Sequence, residues 1–337
     1  MIEYLTSFDF LILIVKIVVI FGAVMNVVGL LSWVERKLMA RVQMRPGPTR
    51  VGPFGLLQPF ADLLKFVFKE EVIPTNANTL LYIAAPVVSL VPAFLSFSVV
   101  PFGPALQVTD LSVGLLFIFA VTSLGVYGIV LGGWASNSKY PLMGAMRSSA
   151  QMISYELSLT LSVIGVLMIA NTLSLRELVL AQQSTWLGFI PRWNIFLQPV
   201  AFFVYLISGI AESNRLPFDL AESEQELVAG WHTEYSSMKF LMFMMAEYAN
   251  MIAVASLATI LFLGGWNGPM FGPPLLQMAL PVIWFVLKVS VLIFFYLLLR
   301  STIPRFRYDQ LMKFGWKVLI PLALANILVT SFIVAIS

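Results

Sequence analysis

The chain has 337 residues, of which 59% are hydrophobic and only 11% charged, with a formal net charge of +3. Soluble domains contain roughly 25% charged residues, so this composition excludes an ordinary soluble protein and indicates an integral membrane protein. The chain has no cysteine and a single histidine, His232. Thiolate-held iron–sulfur clusters, disulfides and multi-histidine metal or haem sites are therefore excluded for this chain. We expect it to bind no cofactor and no metal.

The apolar runs predict an all-α, polytopic membrane protein, with the whole chain, residues 1–337, forming a single integral membrane domain. A transmembrane helix needs about 20 mostly apolar residues. Eight spans are predicted, at about residues 10–34, 80–100, 113–135, 150–170, 196–211, 240–263, 280–299 and 318–336.

The basic residues predict the orientation of these spans. Sixteen of the 20 lysines and arginines fall in the odd-numbered loops, whereas the even-numbered loops hold only Arg176 and Arg192. The positive-inside rule then places the odd-numbered loops in the cytoplasm or the equivalent compartment, and both termini on the opposite side. We call these the inner and outer loops.

The third inner loop is acidic where the rule expects basic residues. Carboxylates crowded beside a low-dielectric phase repel one another and lose hydration, so we expect some of them to hold protons near neutral pH, as a proton pathway requires. A purely structural alternative is a capping box, with Asp219 as N-cap, Glu222 reaching back and Gly230 ending a helix over 220–229. Capping does not explain Glu212, Glu224 or Glu226. The segment contains six of the 17 acidic residues: Glu212, Asp219, Glu222, Glu224, Glu226 and Glu234.

Four further charged residues fall inside predicted spans, and one of them, Lys16, can extend its ammonium to the outer interface as an anchor. Glu156 and Glu247 lie roughly 9 to 12 Å from the inner ends of the fourth and sixth spans, at 1.5 Å per residue. An acid at such a depth needs a partner, a water-filled cavity or a proton. Either acid could be neutralised by Arg215 or Lys239, but we favour a function in proton transfer. Lys288 lies midway along the seventh span, and the sequence names no partner for it.

The first inner loop combines a basic stretch, a Pro/Gly turn at 46–55 and an amphipathic helix predicted over 56–69. In that helix Gln58, Asp62, Lys65 and Lys69 form a narrow polar stripe on an otherwise apolar surface, which is typical of a helix lying in the membrane interface. The helix either only anchors the chain or forms one wall of an opening through which a lipophilic ligand enters from the bilayer.

The last inner loop, residues 300–313, mixes basic and aromatic side chains. That pattern suggests nucleic-acid binding in a soluble protein, but beside a membrane positive-inside topology explains the charges better, and we expect no nucleic acid. Rigid Pro304 with Phe306 and Tyr308 favours the docking of a soluble subunit.

Five motifs occur in order along the chain: Trp-Val-Glu-Arg-Lys at 33–37, Arg-Pro-Gly-Pro at 45–48 followed by a Gly-rich stretch to Asp62, Ser-Tyr-Glu-Leu at 154–157, Ala-Glu-Ser-Asn-Arg-Leu-Pro-Phe-Asp-Leu-Ala-Glu at 211–222, and Pro-Arg-Phe-Arg-Tyr-Asp-Gln-Leu at 304–311. Together they resemble the family of H subunits of proton-pumping NADH:quinone oxidoreductase, respiratory complex I. Ser213 is a small departure, because many relatives have Thr there.

The resemblance implies a role for each matched residue. Glu35, Arg36, Arg45 and Asp62 would line or support a quinone passage. Arg215, Arg305, Arg307 and Tyr308 would lie near the surface that docks partner subunits. The acidic path would comprise Glu156, Glu212, Asp219, Glu222, Glu224, Glu226 and Glu247.

The resemblance also implies the setting of this chain. It would be a non-redox subunit of a proton-translocating oxidoreductase in the bacterial inner membrane, with periplasmic termini and quinone as the substrate. FMN and iron–sulfur clusters would belong to soluble partners of the hydrophilic arm, and the membrane partners would be small and antiporter-like subunits. Two alternatives remain open: the membrane anchor of an energy-converting hydrogenase-type complex, and a stand-alone proton-coupled transporter.

Overall fold

The computed structural model describes residues 8–186, 190–219 and 227–336. These residues form an all-helical fold apart from one antiparallel pairing of two short strands, β1 (Thr185–Trp186) and β2 (Ile190–Pro191). The predicted fold class is thereby confirmed. The helices are α1 (Phe8–Val42), α2 (Gln58–Phe68), α3 (Thr79–Leu95), α4 (Gly114–Ala135), α5 (Lys139–Ala170), α6 (Leu175–Ala181), α7 (Asn194–Leu197), α8 (Pro199–Glu212), α9 (Ser237–Phe262), α10 (Pro274–Thr302), α11 (Tyr308–Phe314) and α12 (Ile320–Ile336).

Seven helices within the described ranges are long and apolar enough to cross a membrane. They include α1, α3, α4, α5, α9 and α10, and α11 continues through a π-helical turn, Gly315–Leu319, into α12 as the seventh. The fifth predicted span, at 196–211, corresponds to α8, which has only 14 residues. Such a helix is about 21 Å long, against a hydrocarbon core of about 30 Å. The described residues therefore contain seven helices long enough to span the membrane, whereas the sequence predicts eight.

Two helices extend well beyond the apolar runs that predicted them. Helix α1 continues to Val42, although its apolar run ends at Val34, and α5 begins at Lys139, before the run at 150. Charged residues such as Glu35, Arg36 and Lys37 are good helix formers. Hydropathy therefore locates the part of a helix that suits lipid, and does not locate its end.

A tight turn reverses the chain after α1 and directs it into α2. Gly55 has a φ of +79°, and a Cβ there would lie 2.4 Å from the carbonyl oxygen of Pro48, so only glycine fits. The amphipathic helix predicted over 56–69 then forms as α2, with none of its residues buried in the isolated chain.

Helix α9 lies at the centre of the packing. Every residue from Met251 to Phe262 is buried, and α9 packs against α1, α3, α8 and α10. A helix that is apolar on all sides is expected to be enclosed by neighbours.

The loops form two groups, one at each end of the helices, as the predicted alternation of spans requires. The predicted inner loops contact one another or the helix ends beside them, and the predicted outer loops contact one another or the helix ends on the other side. Inner-end contacts include Asn78 N with Ala135 O at 3.1 Å, Ser237 Oγ with Lys69 O at 3.0 Å and Phe306 N with Pro217 O at 3.3 Å, and outer-end contacts include Leu115 N with Leu173 O at 3.2 Å and Asn194 Nδ2 with Leu261 O at 2.8 Å.

Candidate functional site

Glu35 lies at the end of the buried stripe of α1. Ile20, Val24, Val28 and Leu31 recur at helical spacing and are buried, and Glu35 is the next position on the same face, only 3% exposed. The amphipathic pattern of the helix thus brings a carboxylate into the core at the inner end.

Three side chains from different elements bind this carboxylate. Arg215, in the loop after α8, places its Nη1 atom 3.4 Å from Glu35 Oε2. Tyr248 of α9 donates its hydroxyl to the same oxygen at 2.8 Å. Arg300, in the last turn of α10, forms an ion pair with Oε1. Glu35 therefore joins α1, α9, α10 and the loop after α8 through charge-assisted hydrogen bonds.

Arg215 also reaches a second acid. Its Nη2 atom lies 3.6 Å from Glu247 Oε2, and its guanidinium stacks 4.2 Å from the centre of the Tyr248 ring. The Arg215 side chain is only 7% exposed. Because Arg215 is buried between two carboxylates, little water is present to screen their charges. A change in the protonation of one acid therefore alters the electric field at the other. We call Glu35, Arg215, Glu247, Tyr248 and Arg300 the charge cluster.

A small polar cavity adjoins the charge cluster. It is about 10 Å³ in volume and is lined by Glu212, Glu247, Asn250 and Trp231 among others. That is close to the minimum space for one water molecule, about 10–15 Å³. The Trp231 Nε1–H and the Asn250 Oδ1 atom are buried and find no hydrogen-bond partner among the described residues. A water in this cavity would have polar partners and would lie between two carboxylates.

Glu156 of α5 continues the series of acids beyond Glu212. It accepts a hydrogen bond from Ser123 of α4 at 2.6 Å, and it is close enough to Glu212 for their charges to interact. The structure thus brings together three of the acids assigned to the path, namely Glu247, Glu212 and Glu156, each with a neighbour in the series.

The beginning of the acidic loop is fixed to α5. The Gln151 side chain donates to Ala211 O at 2.9 Å and to Phe218 O at 2.7 Å, bridging the loop. Asp219 is buried and accepts a hydrogen bond from Arg305 Nη2 at 3.1 Å. Glu222, Glu224 and Glu226, with most of the proposed capping box, lie outside the described residues.

The residues assigned to the quinone passage divide into two groups. Arg36 of α1 binds Asp62 of α2 at 2.6 Å, and Gln58 donates to the other oxygen of Asp62 at 3.1 Å. Arg36 also lines a depression of about 370 Å³ with Arg45 and the Pro46–Pro48 turn. Glu35, by contrast, points inward to the charge cluster. Glu35 and Arg36 are adjacent in α1, yet their side chains lie on different faces of the helix.

The residues assigned to partner docking also divide. Arg307 is exposed and makes a bidentate ion pair with Asp309, which raises the pKa of the guanidinium above its ordinary value through the hydrogen bond. The ring of Tyr308 lies 5.9 Å from the guanidinium of Arg147. Arg305 is half-exposed and bound to Asp219. Arg215, in contrast, is buried, and its contacts are internal to the chain.

Sequence reasoning missed Arg300 and Tyr248. By its position in the sequence Arg300 is one of the cations of the last inner loop, but it also continues the buried stripe of Phe285, Val289, Ile293 and Leu297 at helical spacing. The periodic pattern could therefore have identified it. Tyr248 directly follows Glu247, and no comparable signal distinguishes it from other aromatic residues.

Lys288 has a partner that the sequence could not name. Its ammonium donates to three backbone carbonyls beyond the end of α9, those of Leu263 at 2.7 Å, Gly265 at 2.9 Å and Asn267 at 2.6 Å. It also lies 4.5 Å from the centre of the Trp193 ring. Lys288 is thus a cap on the outer end of α9.

Within the described ranges, no group of three or more His, Asp or Glu residues is arranged to hold a metal ion.

Comparison with known proteins identifies the family of this chain. The family model described as NADH dehydrogenase matches residues 15–331. The chain is 54% identical to the second NADH-quinone oxidoreductase H subunit of Koribacter versatilis, with 97% of this chain and 98% of the relative covered. It is 48% identical to the first H subunit of Solibacter usitatus over 99% of both chains, and 49% identical to the H subunit of Dehalococcoides mccartyi over 95% and 86%. The chain therefore belongs to the NADH dehydrogenase family.

Proposed function

We propose that this chain is a membrane subunit of a bacterial NADH:quinone oxidoreductase, that it forms part of the quinone passage, and that it couples quinone reduction to proton translocation. The printed names of the relatives support the assignment to this enzyme complex. The family membership and the apolar helices support a multi-pass position in the bacterial membrane. The chain acts as a non-redox subunit, and it is not catalytic alone.

The observation that carries the coupling proposal is the buried charge cluster. It joins Glu35, which is next to the exposed Arg36, to Glu247, which lines the small polar cavity with Glu212. A change of charge near the Arg36–Asp62 pair is therefore connected to the acidic series through the adjacent residue Glu35 and one buried arginine, Arg215. Weak screening inside the protein lets such a change act over this distance.

The quinone passage is supported by the geometry of α1 and α2. The Arg36–Asp62 pair joins the two helices, and the apolar side chains of α2, including Phe60, Leu64 and Phe68, are exposed in the isolated chain. An isoprenoid tail needs an apolar surface, and a quinone head group needs polar contacts at its end. The pairing of both features at the inner end of α1 fits a lipophilic substrate that enters from the bilayer.

The coupling sequence we propose begins with quinone reduction in a soluble partner that docks at the inner end. The new negative charge and the protons taken up with it alter the field at Glu35 and Arg215. The carboxylates of the series then exchange protons in a coupled manner. Glu247, Glu212 and Glu156, with Asp219, Glu222, Glu224 and Glu226, carry that response toward the neighbouring membrane subunits.

The experiment that tests this function uses the complex isolated through an affinity tag on this chain in mild detergent. We expect soluble subunits with FMN and iron–sulfur clusters to co-purify, together with NADH-dependent quinone reduction. Asp62→Asn should raise the KM for quinone with less effect on kcat. Lys139→Gln, which removes an exposed charge at the inner start of α5, serves as the control.

Two outcomes would contradict the proposal. Co-purification of a hydrogenase, with hydrogen-linked and not quinone-linked turnover, would favour the membrane-anchor alternative. Proton-coupled solute uptake by the isolated chain in liposomes would favour the transporter. The printed names of the relatives favour the quinone enzyme over both.

A further inference from the structure

An apolar groove lies on the side of the molecule formed by α8, α10 and α11. Its volume is about 860 Å³, and among the described residues that line it only Gln310 is polar. Aromatic side chains dominate its walls, including Phe203, Phe295 and Phe306, which are 62%, 40% and 44% exposed in this chain. A groove of this kind at membrane depth suits hydrocarbon chains, because it offers dispersion contacts and no unpaired polar groups.

Basic residues lie at the inner end of the groove. Residues 300–317 hold five of them. Arg300, Arg305 and Arg307 are bound to Glu35, Asp219 and Asp309, so the positive charge that a ligand would meet comes mainly from Lys313 and Lys317. Arg307 directly follows Phe306, which lines the groove, and is exposed. Lys313 and Lys317 are exposed, and each lies three residues after another lining residue, Gln310 or Phe314. Gln310 and Lys313 share a face of α11 at this spacing, and Lys317 lies in the π-helical turn that follows. The long lysine stems allow both ammonium groups to extend toward the mouth of the groove.

From this juxtaposition we propose that the groove binds an anionic phospholipid, with its acyl chains between α8 and α10 and its head group at Lys313 and Lys317. Basic pockets between membrane helices on the inner side are suited to anionic head groups. The lysine stems can lie along the apolar wall while their ammonium groups extend to the phosphate. A zwitterionic lipid would fill the groove equally well but would not neutralise its basic mouth.

The test uses the intact complex in nanodiscs and two photoactivatable phospholipids with the same diazirine-bearing chain, one with a phosphatidylglycerol and one with a phosphatidylcholine head group. We expect the anionic probe to label peptides of α8 and α10 preferentially. Each basic residue near an anionic lipid contributes a factor of about five in affinity. The double variant Lys313→Gln/Lys317→Gln should therefore lower the apparent affinity for the anionic probe by about 25-fold, toward that of the zwitterionic probe.

Two further variants complete the design. Lys139→Gln/Arg192→Gln removes the same total charge from exposed sites away from the groove and should leave the preference unchanged. Ile207→Trp fills the groove and should reduce labelling by both probes. Labelling requires no turnover, so the result is independent of quinone reduction and proton pumping.

Three results would overturn the proposal. Equal labelling by both probes would show that the groove does not select anionic lipid. Unchanged preference in the double lysine variant would separate the basic residues from the site. Absence of lipid labelling, with cross-links from the groove to another subunit, would identify a protein as its occupant.

Discussion

Two buried cations that contact opposite ends of α9 have different kinds of partner. Arg215, at the inner end, is held by the carboxylates of Glu35 and Glu247. Lys288, at the outer end, is held by three backbone carbonyls and the face of Trp193. Both side chains are almost fully enclosed, since Arg215 is 6% and Lys288 is 8% exposed.

The difference between these two sites indicates where the molecule can respond. A carboxylate can gain or lose a proton, so the attraction that holds Arg215 can change during turnover. A backbone carbonyl cannot titrate, so the contacts of Lys288 stay constant. The inner end of α9 is therefore suited to switching, whereas its outer end is a fixed support.

The outer support extends beyond Lys288. Gln182 donates to Ile260 O at 2.8 Å, and Asn194 donates to Leu261 O at 2.8 Å. The last carbonyls of a helix lack intrahelical donors, and in lipid they must be satisfied within the protein. Side chains from three elements thus close the end of α9.

The largest effect is expected for Arg215→Gln. Glu35 and Glu247 then remain buried without their shared cation, and breaking a buried pair in this way costs about 3–5 kcal/mol. We expect poor assembly on native gels and the loss of most quinone-linked activity. Adding Glu247→Gln to this variant should restore part of the stability, because one unpaired charge is removed. The exposed Arg192→Gln serves as the control, and equal thermal stability in both single variants would contradict the proposed importance of the pair.

A somewhat smaller effect is expected for Lys288→Ala. The net loss should be about 2–3 kcal/mol, because three carbonyls lose their donor while water can reach some of them. Thermal stability of the complex should fall, but the number of protons translocated per electron should not. Propylammonium should restore part of the lost stability, whereas propanol should not. A changed proton-to-electron ratio in the assembled variant would place Lys288 on the proton path.

A still smaller effect is expected for Tyr248→Phe. It removes one hydrogen bond to a charged group, a loss of about 1.5–2 kcal/mol, while Glu35 keeps both arginines. We expect nearly normal assembly and a slower turnover that depends more steeply on pH, measured as the pH profile of quinone reduction. An unchanged pH profile would indicate that the Tyr248 side chain contributes only to packing.

The smallest effect on stability is expected for Asp62→Asn. The Arg36–Asp62 pair is partly exposed, and exposed ion pairs contribute about 0–1 kcal/mol. The thermal midpoint should therefore hardly move, and the change should appear in the KM for quinone. A large loss of stability with an unchanged KM would assign this pair to folding alone.

The sequence predicts some parts of this molecule better than others, for physical reasons. Hydropathy identifies the membrane helices, which are continuous apolar runs, and the amphipathic α2, whose apolar residues are periodic. It overestimates the length of α8, because the 14 residues of this helix and the adjoining α7 form one apolar run in the sequence.

The partners of charged residues are the least predictable part of the site. Glu35 and Arg36 are adjacent in sequence, yet one enters the core and the other binds α2. Their directions follow from which face of α1 meets α9, and that depends on the packing of distant segments. The acids of the path can be recognised individually in the sequence, and Arg215 is one of the two cations that the sequence offers as a partner for Glu247, as the structure has it. That the same arginine also binds Glu35 cannot be assigned without the fold.

The most direct test of the coupling proposal is the proton-to-electron ratio of the assembled complex in proteoliposomes, with Glu247→Gln and Glu156→Gln examined separately. The proposal predicts that each variant still reduces quinone to a measurable extent while translocating fewer protons per electron. The exposed Glu177→Gln at the outer end, where the carboxylate binds Thr172, provides a matched control with a normal ratio. Full proton translocation in both variants would contradict a route through these carboxylates.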